Sequence, residues 1–321
     1  MEVAIIGGAG TIGATTGYDL ATALPSTTVS LIDVRADLAE AQATDIRHAR
    51  AHLTHSAGRA AVGWPGDAAT GTVRGLPTDR ADECDPDAVV VAASAPRPDV
   101  SAQRGGRIHF LEMNLEVMDD VADQMAAWDP VPTVVVTNPL DRMTDRVWRR
   151  TGWPRETILG YSLSETARLA DELARRFDAS PAAVHCPVMG EHGEHIVPVF
   201  SRATVRGDAI SLTEEERQAV LDYTRQVPYD VIDVRGADET SRWVTGRGVS
   251  VLVQAILDGG LEEPVCLSTP LAGEYGFTDV CLSVPVRLSG EGVAEILEWD
   301  LADDERERLD AAYADISADV T

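Results

Sequence analysis

The stretch "AIIGGAGTIGATTGYDLA", Ala4 to Ala21, decides how the rest of the chain is read. It starts as a short β-branched run, breaks into glycines at 7, 10 and 13, and resumes with helical spacing. Glycine at those points permits a tight turn, lets a pyrophosphate approach the backbone, and lets helix pack on strand. The first helical amides then hold the phosphates. Gly7, Gly10, Thr11, Ile12 and Gly13 are therefore candidate cofactor contacts. Asp33 ends the next strand-like run, "TVSLID" (28–33), where a ribose hydroxyl would sit. A carboxylate there disfavours a 2′-phosphate, so the expected cofactor is NAD rather than NADP.

Outward from this loop the first half keeps alternating. "VAIIG" (3–7), "TVSLID", "AVVVAAS" (88–94) and "TVVVTN" (133–138) read as strands buried on both faces. Helical patterns lie near 11–24, 35–50 and 107–127, and "WPGDAATGTVRGLP" (64–77) reads as a surface connection. Such alternation implies an α/β fold, a Rossmann-type doubly wound parallel sheet with right-handed crossovers. After a turn at "RTGWP" (150–154) the order becomes mixed, with helices near 164–177, 213–232, 241–258 and 302–315 and strand-like runs at 183–189, 196–206 and 264–287. The reading is a dinucleotide-binding domain at 1–150 and a second, α+β substrate-binding and catalytic domain at 151–321.

Composition narrows the function classes. Acidic residues number 53 against 27 basic ones, for a net charge of −26, and every basic residue is arginine. Such a surface repels nucleic acid and anionic lipid, so neither is an expected partner. An acidic, lysine-free chain reads as adapted to a high-salt cytoplasm, where screening shortens self-repulsion. The start "MEVAIIGG" enters a strand without a basic leader, and no apolar run reaches membrane-spanning length. A cytoplasmic protein is the expectation. The four cysteines form no CxxC pair, so no metal site is expected. The glycine loop also suits enzymes that use a tyrosine activated by a lysine four residues on; a chain without lysine cannot build that pair.

A second stretch, "PVMGEHGEHIVPVF" (187–200), places His192 and His195 between two apolar runs. Imidazole trades protons near neutral pH, and either residue could be a general acid–base or simple surface. Taken with "TDIRHA" (44–49), "VVVTNPLD" (134–141), "ETAR" (165–168) and "VPVRLSGEGVAEILEWDL" (284–301), the chain resembles the L-malate/L-lactate dehydrogenase family, above all the malate enzymes of halophilic archaea.

The resemblance implies hydride transfer between NAD and a 2-hydroxy acid, with His192 as acid–base and His195 a bystander. Glu165 would orient the imidazole, although the family has aspartate there and the segment after Gly160 is one residue short of the archaeal pattern. Arg168, at i,i+3 spacing from Glu165, would grip the substrate carboxylate bidentately. In the loop "APRPDVSAQRGGRIHFLEMN" (95–114) Arg107 would polarise the carbonyl, with Arg104 as the alternative, because the loop runs about four residues longer than the family spacing. Arg97 would pair with a second carboxylate, which favours L-malate and oxaloacetate. Asn138 would bind substrate near the nicotinamide, Asn114, Thr137 and Asn138 would contact the cofactor, and Thr240 or Ser241 would approach the nicotinamide. The rivals are another 2-hydroxy acid, lactate-like or bulkier, and a non-catalytic dinucleotide-binding paralogue. A homo-oligomer, dimer or tetramer, is expected by the same resemblance.

Overall fold

A computed structural model describes residues 1–55, 58, 60, 70–96, 111–236 and 241–318. The chain opens with β1 (Glu2–Ile6), α1 (Thr11–Ala23), β2 (Thr28–Ile32), α2 (Ala36–Thr54), β3 (Val73–Leu76) and β4 (Ala88–Val91). It continues with α3 (Leu111–Met125), β5 (Thr133–Val135), α4 (Leu140–Thr151) and β6 (Ile158–Gly160). These strands lie in the order β3-β2-β1-β4-β5-β6, all parallel. This is the doubly wound order, which reverses direction between β1 and β4, where the carboxyl ends of the strands leave a crevice.

Alternation within β1 shows why helices cover both faces. Val3 and Ile5 join a core with Leu20 of α1, whereas Ala4 and Ile6 join another with Met118 and Met125 of α3. Residues two apart share a face, so one apolar run supplies both cores. Each fully buried aliphatic side chain contributes roughly 1.5–3 kcal/mol.

The later elements are α5 (Leu163–Arg176), β7 (Val184–His185), β8 (Val188–Gly190), β9 (Ile196–Pro198), β10 (Thr204–Val205) and β11 (Asp208–Ala209). Then come α6 (Glu214–Arg235), α7 (Arg242–Leu257), β12 (Gly260–Ala272), β13 (Thr278–Ser289), β14 (Gly292–Ile296) and α8 (Asp303–Ala318). The long β12–β13 hairpin extends the parallel sheet on its β6 side and carries β8 and β9 on its other edge. Each junction is one residue pair, Ser268 with Gly160 and Ser283 with Gly190. The small side chains let the strands meet closely; a Cβ at Gly160 would lie 2.8 Å from Ser268 Cβ.

Three sequence expectations need correction. The run expected at 183–189 is two short strands, β7 pairing with β10 in a separate three-stranded sheet and β8 joining the large one. The segment read as a surface connection at 64–77 contains β3, an edge strand parallel to β2. The run expected at 196–206 is two short strands separated by a 3-10 turn at Phe200–Arg202. Among the described residues, no helix is long and apolar enough to cross a membrane.

Candidate active site

A cavity of about 910 Å³ opens where the strand order reverses. One wall is the glycine loop. Gly7 has φ +83°, and a Cβ there would lie 2.3 Å from the Ala93 amide nitrogen, so only glycine lets β1 turn this close to β4. Gly10 precedes α1 without a side-chain cap, and the helix has no acidic residue in its first turn. Its leading amides include those of Thr11 and Ile12, which line the cavity wall, so the positive end of α1 lies at the cavity. Asp33, 5% exposed, accepts the Ala9 N–H at 3.0 Å and the Arg35 N–H at 2.9 Å. That carboxylate fixes the loop while also lining the cavity.

Deeper in, Asn114 braces two strand ends. Its Oδ1 accepts from the Ala95 N–H at 2.8 Å and its Nδ2 donates to the Asn138 carbonyl at 2.7 Å. Thr137 donates its hydroxyl to the Ala93 carbonyl at 2.6 Å. The buried Asn138 Oδ1 has no hydrogen-bond partner among the described residues and lies on the cavity wall. A buried amide oxygen without a partner costs roughly 1–3 kcal/mol unless a ligand or water answers it. Open helix-terminal amides, a ribose-side carboxylate and this amide together fit a dinucleotide.

The opposite wall carries charge. Glu165 and Arg168 sit in the first turns of α5, and His192 sits on the tight turn between β8 and β9. Glu165 Oε2 lies 2.8 Å from His192 Nδ1, with both side chains under a tenth exposed. The extra methylene of glutamate therefore spans the gap. Arg168 meets Glu165 Oε1 at 3.3 Å and lines the same cavity as His192. Asp171 and Glu172 were the other acids within its helical reach; Glu172 instead pairs with Arg175 and Arg176. The turn needs its first glycine: Gly190 has φ +88°, and a Cβ there would lie 2.4 Å from the His195 carbonyl oxygen. Imidazole backed by carboxylate, beside a guanidinium and facing a dinucleotide cradle, can move a proton on an anchored acid.

Comparison with known proteins gives the same reading. Residues 165–321 match the model described as lactate/malate dehydrogenase, alpha/beta C-terminal domain. The malate dehydrogenase of Halobacterium salinarum is 34% identical over 323 residues, covering 99% of this chain and 97% of that one. The chain belongs to the lactate/malate dehydrogenase family. Among solved structures of this family, the malate dehydrogenase of Aeropyrum pernix superimposes with TM-score 0.83 at 26% identity, over 98% of this chain and 96% of that one. A Cryptosporidium parvum lactate dehydrogenase, described as complexed with lactic acid and β-nicotinamide adenine dinucleotide, gives TM-score 0.86 at 24% identity, over 99% and 96%. The protein is a malate/lactate-type dehydrogenase.

Other residues expected of a family member divide three ways. Arg97, Arg104, Arg107 and Thr240 lie outside the described residues. Ser241 lines the cavity. His195 is apart from the cavity, its ring 3.8 Å from Asp315. Among the described residues, no group of three or more His, Cys, Asp or Glu could hold a metal ion. Sequence reasoning missed Tyr161 and Ser164, which join the wall near Arg168 and hydrogen-bond each other at 3.3 Å. It also quoted Asp141 without assigning it a role, and that residue touches the turn bearing His192.

Proposed function

We propose that the chain interconverts L-malate and oxaloacetate with NAD. The observation that carries this reading is one cavity lined by His192, Arg168, the glycine loop and Asn138 with its unanswered Oδ1, with Glu165 backing His192 from behind the wall. When bound, NAD supplies the hydride acceptor, or in its reduced form the donor. His192 takes the hydroxyl proton through Nε2 during oxidation and returns it during reduction. Neutral imidazole has one N–H, and a carboxylate accepting at Nδ1 keeps it there, leaving Nε2 free for the substrate. The same carboxylate stabilises the imidazolium once the proton has moved. Arg168 anchors the substrate carboxylate and Asn138 hydrogen-bonds the same substrate beside the nicotinamide. Gly7, Gly10, Thr11, Ile12, Asp33, Asn114, Thr137 and Asn138 hold the cofactor. Gly13, off the cavity wall, lets α1 pack on the loop, since a Cβ there would lie 2.3 Å from the Gly7 carbonyl oxygen.

The remaining assignments rest on the family resemblance. Arg107 polarises the carbonyl, with Arg104 as the alternative, and Arg97 pairs with the second carboxylate that distinguishes malate from lactate. Residues 1–150 form the dinucleotide half and 151–321 the catalytic half, in a cytoplasmic homo-oligomer adapted to high salt. The net charge of −26 supports the last point. A panel of oxaloacetate, pyruvate and bulkier 2-oxoacids, assayed with NADH and NADPH in multimolar salt, tests the proposal. Oxaloacetate with NADH is the expected best pair, and Arg97→Gln should erase the preference. Equal rates on pyruvate, or a preference untouched by Arg97→Gln, would overturn malate as substrate.

A further inference from the structure

Glu165 meets the ring of His192; a second carboxylate meets its backbone. Asp141 is the second residue of α4, only 1% exposed, and its Oδ2 accepts the His192 N–H at 2.7 Å. Three other backbone amides of the turn are bonded within it, and the Glu191 carboxylate also meets Arg142 of α4 at 3.6 Å. Glu191 N–H donates to the His195 carbonyl at 3.2 Å, Gly193 N–H to the Glu191 carbonyl at 2.8 Å, and His195 N–H to Glu191 Oε2 at 3.0 Å. The His192 amide instead reaches out to α4, the helix that begins just after Asn138 and Pro139.

An acid is an expensive choice for this contact. Asp141 Oδ1 and the neighbouring Ser268 hydroxyl of β12 are both buried without an aligned hydrogen-bond partner. Burial first, and then the Glu191 charge, push the carboxyl up to about 6, against the pull of Ser268, the His192 amide and the His192 ring. On β13, the buried Cys281 thiol also feels this carboxylate. A neutral asparagine would accept the same amide proton with no buried charge. What aspartate adds is negative charge under the turn, beside a ring that becomes cationic.

We propose that Asp141 is a positioning residue for His192, clamping the acid–base from its backbone side and tying it to Asn138 three residues earlier. The two groups facing the substrate oxygen then keep one spacing. The inference rests on the function proposed above.

Asp141→Asn and Asp141→Ala, compared in the full chain with NADH and oxaloacetate, give the test. Asp141→Asn should lower kcat about tenfold with KM nearly unchanged, and Asp141→Ala about a hundredfold, the scale of a misplaced catalytic group. A role confined to packing would leave kcat in step with the folded fraction. The ¹⁵N resonances of the His192 ring, assigned with His192→Asn and read without substrate, should shift in Asp141→Asn. Unchanged kcat and unchanged ring resonances in folded Asp141→Asn would overturn the proposal, whether or not Asp141→Ala folds. An inactive parent chain would refute the enzymatic reading alone, because the ring resonances still decide the role of Asp141.

Discussion

Around Gly7–Ile12 the cavity is lined by the glycine loop and the start of α1, whereas around His192 it is lined by Arg168 of α5 and His192 of the β8–β9 turn, both in contact with Glu165. The first wall is contiguous in sequence, and its contacts depend on what is missing: a Cβ at Gly7 and an acid in the first turn of α1. The second converges from residues 165, 168 and 192, and its contacts depend on charge and reach. A wall of amides tolerates exchange of most side chains. A wall of paired charges does not, because removing one partner leaves the other buried and unanswered.

Substitutions can break or sharpen this contrast. The largest effect belongs to His192→Asn, which should lower kcat by about 10²–10⁴-fold with NADH affinity intact, checked by steady-state kinetics and NADH fluorescence titration. Loss of NADH binding as well would show that the walls are not separable. Arg168→Gln should raise KM for the 2-oxoacid by about 10–100-fold, the worth of a charge-assisted contact, again without weakening NADH. On the main-chain wall, Gly7→Ala should cost roughly 1–3 kcal/mol of stability from its positive φ alone, read from denaturant midpoints. Thr11→Ala, which removes a side chain but no amide, should leave NADH affinity within about twofold. If Thr11→Ala weakened NADH as much as Gly7→Ala, the wall would not be a main-chain one.

A pH series sharpens the other side. Asp141 ionises near 6 in the fold against an ordinary 3.8, so the folded chain holds its proton more tightly than the unfolded chain between these values. This group's contribution to stability therefore falls as pH rises from about 4 to about 6 and stays low above that. Asp141→Asn removes the penalty, so its denaturant midpoint relative to the parent should be more favourable at pH 7.5 than at pH 4.5. A constant difference would mean that the carboxylate carries no burial cost. Least of all should change with Arg80→Gln, which breaks an exposed pair with Glu83 and should leave the melting temperature where it was.

The contrast also explains what the sequence disclosed. Four apolar runs and three glycines specify the parallel sheet and its crevice, since pattern and turn chemistry are local. β3 escaped because "VRGL" is a four-residue edge strand with a half-exposed middle and a glycine inside. β6 escaped because three residues show no period. Glu165 and His192 were legible only as members of motifs, 27 positions apart, whose meeting no local pattern encodes. Asp141 is harder still: its partner lies 51 positions away, and nothing around it announces burial. A charged residue in a first helical turn ordinarily reads as solvated.

The cysteines carry a practical consequence. All four are buried: Cys84 below the first sheet strands, Cys186 beside β8, Cys266 and Cys281 in the long hairpin. Burial lifts Cys84 to about 11 and Cys266 to about 12, and holds Cys186 and Cys281 higher than an ordinary thiol. Thiolates react and thiols do not, so an alkylating reagent finds almost nothing to modify until a segment opens. Mass spectrometry of timed alkylation would thus act as a stopwatch on local opening, resolving which part of the sheet lets go first as salt is withdrawn.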